Sequence, residues 1–188
     1  MAKTDGKKSN IRYAILIFLF TFVCASIMYL FSQLVLSNIE SIIIGLGLLL
    51  LVVLIGIVFD VVGTGITVAD SATFCAKASR KLPGAKKALA LIENADKVAN
   101  ICNDVVGDIC GTVSGGIGAA LVFVIVRSGG LLELIVSVVM TGGIAALTVG
   151  GKAIGKNFAI NNADFIIWNV GKVLDFKAVI AGKKKNKA

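Results

Sequence analysis

Long uncharged stretches alternate with short charged ones along this chain. Residues 13–39 carry no Asp, Glu, Lys or Arg. At 1.5 Å per residue such a run makes a helix of about 40 Å, longer than the ~30 Å hydrocarbon core of a bilayer. A second uncharged run, 42–59, follows Glu40 and Ser41 and stops at Asp60. A connection that short predicts an antiparallel helical hairpin. The third run, 100–126, opens with Asn100, Asn103, Asp104 and Asp108, turns glycine-rich in its middle and ends aliphatic. Residues 127–130 form a turn into the fourth run, 131–149. The pattern predicts an all-α, polytopic integral membrane protein with about four transmembrane helices. A secretory signal peptide competes for the first run, but its apolar region spans only about 7–15 residues. Residues 13–39 are therefore read as a membrane anchor.

The intervening segments have a different character. Residues 1–12 are polar and basic. Residues 61–98 carry most of the remaining charges of the first hundred positions and the only proline, Pro83. Between 85 and 101, apolar residues recur at Ala88, Leu91, Ile92, Ala95, Val98 and Ala99, close to helical spacing. Residues 151–188 contain Phe158, Phe165, Trp168 and Phe176 and end in a lysine tail. Aromatic rings of this kind suit the headgroup level of a membrane. Five parts follow: a basic N-terminus (1–12), a transmembrane hairpin (13–60), an amphipathic juxtamembrane region (61–98), a second hairpin (99–150), and an amphipathic helix with a basic tail (151–188).

Composition agrees and narrows the class. The 188 residues are 57% hydrophobic and 16% charged, with a mean hydropathy of +0.93. Soluble domains run nearer 45–50% and about 25%, so a water-exposed fold has too little polar surface here. The absence of histidine removes Ser-His-Asp triads, Cys-His pairs and His-ligated zinc, and no enzyme is expected. Cys24, Cys75, Cys102 and Cys110 show no CxxC spacing and read as small apolar residues. The net charge of +8 is explained by the positive-inside rule and needs no nucleic-acid partner. With the amino terminus inside, 1–12 hold four basic residues, 61–98 six and 151–188 eight, which is 18 of the 19. The expected location is the cell membrane, with both termini cytoplasmic and anionic lipid headgroups as the nearest acidic partner.

Acid within a membrane span is where chemistry is expected. A charge at mid-bilayer costs at least ~2.5–3.5 kcal/mol on insertion scales, so intramembrane carboxylates are functional candidates. Asn100, Asp104, Asp108 and Thr112 recur every four residues and share a stripe, with Asn103 beside it. Gly107, Gly111 and Gly115 form an adjacent row, a doubled GxxxG that lets another helix approach closely. That row suits either helix packing within the chain or a homodimer seam. A second polar patch holds Asp60, Thr64, Thr67 and Asp70, with Gly63 and Gly65 permitting irregular backbone at membrane depth. If these segments meet, Asp60, Thr64, Asn100, Asn103, Asp104 and Asp108 supply hard oxygen ligands, suited to Mg²⁺ or Ca²⁺ rather than Zn²⁺ or Cu⁺. The alternative leaves Asp104 and Asp108 hydrated at the end of their span.

Residues 59–126 resemble the transmembrane domain of the cyclin M/CorB/CorC magnesium transport family. The resemblance rests on a glycine-containing span end, the basic segment GAKKALALIEN at 84–94, and an Asn-rich opening, ICNDVVGD at 101–108. The family's Ser-Gly-x-Glu-Thr-Ala signature is replaced by DVVGTGIT at 60–67, and no counterpart of the first span or of CBS domains is seen. The resemblance implies a cation site built from polar residues of the irregular span end and the Asn motif.

Two functions follow as expectations. One is divalent-cation transport or binding, with Mg²⁺ as the ion, in a homodimer. The other is a non-transporting membrane scaffold or accessory subunit whose cytoplasmic helices hold a partner. Topology is tested first: reporters fused after Lys8, near Lys87 and after Lys187 should all read cytoplasmic, and an external signal near Lys87 would remove the four-span arrangement.

Overall fold

A computed structural model describes residues 15–30, 33, 42–126 and 130–185, with side chains up to Phe176. Among these residues every regular element is a helix. They are α1 (Ile15–Leu30), α2 (Ile42–Val68), α3 (Ser71–Ser79), α4 (Ala85–Ile92), α5 (Ala95–Asn100), a π-helical turn (Ile101–Val106), α6 (Gly107–Ile125), α7 (Leu131–Asn161) and α8 (Ala163–Lys185). Three helical stretches are long and apolar enough to cross a membrane: Ile42–Val68, Ala95–Ile125 and Leu131–Asn161. Of the expected first span, α1 is a shorter apolar helix, and the rest apart from Gln33 lies outside the described residues, as do Glu40, Ser41 and Arg127.

The helices run further than the hydropathy pattern predicts. α2 does not stop at Asp60 but continues through Gly63 and Gly65 to Val68, so the irregular backbone expected there is absent. Both glycines are contact points: a Cβ at Gly63 would collide with the Asn103 carboxamide, and one at Gly65 would touch Ile167 at 3.4 Å. α7 likewise passes 149 and continues to Asn161, taking in Lys152 and Lys156. The irregularity falls instead at the π-helical turn, where the wider i→i+5 pattern rotates Asn103 relative to an ideal α-helix.

Contacts divide the chain into two compact units, Met1–Val53 with Asp108–Ala145, and Leu54–Gly107 with Ala146–Ala188. In the first, Leu49, Val52 and Val53 of α2 and Ile109, Val113, Ile117 and Leu121 of α6 are buried. Close approach there uses Gly45 against Leu121 and Gly118 against Ile144. Gly111 and Gly115 of the expected row have no other described residue packed on them, so among the described residues these two do not bring helices together. Most of the remaining apolar surface points outward, including Leu131, Leu132, Leu134, Ile135, Val138 and Val139 of α7. A water-soluble protein rarely exposes a contiguous apolar patch of that kind.

The second unit packs the short helices against α2 and α8 around Ile66, Phe74, Ala88 and Ile167. Asp70 caps α3, accepting from the Ala72 and Thr73 backbone N–H groups at 3.1 Å and from the Thr73 hydroxyl at 2.6 Å. Those bonds, the hydroxyl first, hold its carboxyl below the ordinary aspartate value. Pro83 ends the α3–α4 turn, and Gly84 starts α4 in the left-handed region at φ +80°. Its carbonyl and amide lie on α8: a Cβ at Gly171 would stand 2.5 Å from the Gly84 oxygen, and the Gly84 N–H donates to Asp175 at 3.1 Å.

Gly84→Ala is expected to lower the stability of purified protein by about 2–4 kcal/mol, combining a positive φ with backbone overlap at Lys172. Gly111→Leu, which enters open space, should melt within about 0.5 kcal/mol of wild type. Equal melting of the two variants in detergent would mean that α4 does not press on α8.

Candidate functional site

Asp60 is the one buried carboxylate among the described residues, 2% exposed in a helix that is otherwise apolar from Ile42 to Phe59. Its countercharges come from α7. Lys152 and Lys156 are four residues apart, hence on one face of the helix, and each reaches one carboxylate oxygen: Lys152 Nζ to Oδ1 and Lys156 Nζ to Oδ2, both at 3.6 Å. Lys152 is the more buried of the two, with its side chain 22% exposed against 51% for Lys156.

The approach of α7 to α2 depends on the residue preceding each lysine. A Cβ on Gly151 would run into Ile57, and one on Gly155 would stand 2.7 Å from Val61. Two Gly-Lys pairs one helical turn apart therefore make a contact in which the glycines bring the backbones together and the lysines reach the acid beside them. This pattern, GKAIGK at 151–156, is the signal that reasoning on spans and acids passed over, because the lysines counted only toward topology.

The π-helical turn completes the cluster. Asn103 places its carboxamide on Gly63, one turn from Asp60, and a Cβ on Gly107 would stand 2.9 Å from Lys152 Nζ. Asn103 Oδ1 and Asp60 Oδ2 are both buried without a hydrogen-bond partner. The ion pairs of Asp60 are longer than hydrogen bonds, so both oxygens retain acceptor capacity.

The expected ligand set is thus only partly assembled. Asn103 packs on Gly63, one turn from Asp60 in α2, and Thr64 follows Asp60 by one turn, half-buried. Asn100 and Asp104 pair with each other instead, the amide donating to the carboxylate at 2.7 Å. Asp104 and Asp108 are exposed. Among the described residues no group of three or more His, Cys, Asp or Glu side chains comes together to hold a metal ion. Comparison with family models, with curated proteins and with solved structures finds no match.

The cluster makes an asymmetric prediction. A buried acid that loses its partner costs about 3–5 kcal/mol, whereas a lysine that loses its acid extends its long stem toward water. Lys152→Met with Lys156→Met should therefore destabilise the protein more than Asp60→Asn does, and adding Asp60→Asn to the lysine pair should restore most of the loss. Additive losses in thermal unfolding would mean that the three charges are independent.

Proposed function

We propose that this chain is a multi-pass membrane protein that acts as a non-transporting scaffold or accessory subunit, with α3, α4 and α8 on the cytoplasmic face. The carrying observation is the internal neutralisation of Asp60. One buried carboxylate faces two ammonium groups, so the cluster already holds excess positive charge. Mg²⁺ entering beside Asp60 would raise that excess to three charges, which is strongly unfavourable away from water.

Depth along the helices supports the same reading. At 1.5 Å per residue, Asp60 lies about 27 Å from Ile42, Lys152 about 32 Å from Leu131, and Asn103 about 33 Å from Ile125. All three fall near the far edge of a ~30 Å hydrocarbon core. Asp104, exposed and about 32 Å from Ile125, is at the hydrated end of its span. The cluster then serves as a lock joining α2, the π-helical turn and α7 at the inner membrane edge.

One observation favours the second reading, divalent-cation handling: the two unpartnered oxygens of Asp60 and Asn103 are hard ligands from residues of the expected site. For that reading the lysines act as tethered cations that must swing away before Mg²⁺ enters. Thermal unfolding of purified protein separates the two. The scaffold reading expects no Mg²⁺-specific stabilisation that survives high KCl. A shift equivalent to about 2.7 kcal/mol at an ion concentration of 100 Kd, persisting in KCl and lost in Asp60→Asn, would establish the cation reading and overturn the scaffold.

A further inference from the structure

α8 is apolar on two opposite sides, and only one of them is covered by the chain. Ile167 is fully buried against Ile66, Phe74 and Ala88. Phe165 and Phe176, eleven residues apart and so nearly in line on the helix, are exposed on the other side with Lys172 between them. Trp168 stands at the border. Its indole N–H donates to the Pro83 carbonyl at 3.2 Å, which fixes the ring against the α3–α4 turn. Two ammonium groups lie over that ring, Lys172 Nζ at 3.9 Å and Lys77 Nζ at 4.7 Å from its centroid, and Lys77 is also 4.7 Å from the Phe74 centroid. The aromatic faces hold both cations by their negative quadrupole. Among the described residues, neither lysine has a carboxylate within ion-pairing distance; the ion pairs there are those of Asp60.

We propose that Lys77 and Lys172, gathered on Trp168, form a binding site for the phosphate of an anionic lipid headgroup, with Phe165 and Phe176 of α8 entering the adjoining interface. This rests on the cytoplasmic placement of α3 and α8 given above. Charge complementarity selects the occupant: two cations drawn to one ring repel each other, and an anionic phosphate relieves that repulsion while the phenylalanines leave water. Depth selects a lipid source over a soluble one. Ile66, in the same packed cluster, is six residues past Asp60, about 9 Å beyond the charged edge of the apolar run, which is the headgroup layer.

Trp168 is the only tryptophan, so its emission reports on this site alone. The whole protein is reconstituted into bilayers of phosphatidylcholine, or of phosphatidylcholine mixed with phosphatidylglycerol, with bromine on the acyl chains of one lipid at a time. Brominated phosphatidylglycerol should quench Trp168 more than brominated phosphatidylcholine. Lys77→Gln and Lys172→Gln should each weaken that preference roughly fivefold, with circular dichroism unchanged. Equal quenching by the two lipids, or a preference that persists in the double variant, overturns the headgroup site and leaves the scaffold reading intact. No quenching by either lipid overturns both the site and the placement of α8 at the membrane. If inorganic phosphate reproduces the emission change in detergent, the occupant is free phosphate and the lipid assignment falls.

Discussion

A carboxylate in an apolar helix must be neutralised wherever water cannot reach it, and here the neutralising charge comes from a helix nearly a hundred residues later in the chain. Asp60 is short and rigid, so the ammonium groups have to come to it. That requirement fixes the spacing of α7 and α2, which in turn requires Gly151 and Gly155 at the contact. A side chain at either position overlaps Ile57 or Val61, so those side chains must shift or α7 must move outward. Gly63 and Gly107 answer the same constraint from the other side, making room for Asn103 and for the Lys152 ammonium.

With one acid and two bases, the cluster carries excess positive charge, and Asp60 Oδ2 and Asn103 Oδ1 are buried there without a hydrogen-bond partner. The exposed acids, Asp104 and Asp108, need no such compensation where water solvates them. Lys152 and Lys156 close an internal ion pair with Asp60.

Glycine stands in three different settings among the described residues. At Gly84 the backbone takes a positive φ, and the missing Cβ lets α4 rest on α8. At Gly63, Gly151 and Gly155 the backbone is ordinary α-helix and only the absence of a side chain matters. At Gly111 and Gly115 no other described residue lies close. Spacing alone does not distinguish these cases, since 107–111–115 and 151–155 have the same four-residue period.

The helical class and the positions of three long apolar helices were legible because hydropathy is a sum over neighbouring residues, and a bilayer responds to that sum. Helix ends were less so: Asp60 and Lys152 read as boundaries because a charge usually marks one, yet each sits inside a helix that runs on. Asp60 and Asn103 were recognised as unusual by residue type and depth, but their partners were not. Whether an acid meets a metal, water or a lysine depends on which helices touch and how each is rotated about its axis. That rotation is set by glycine contacts and by the π-helical turn, which bring together residues 60, 103, 152 and 156, and no local window of sequence contains all four.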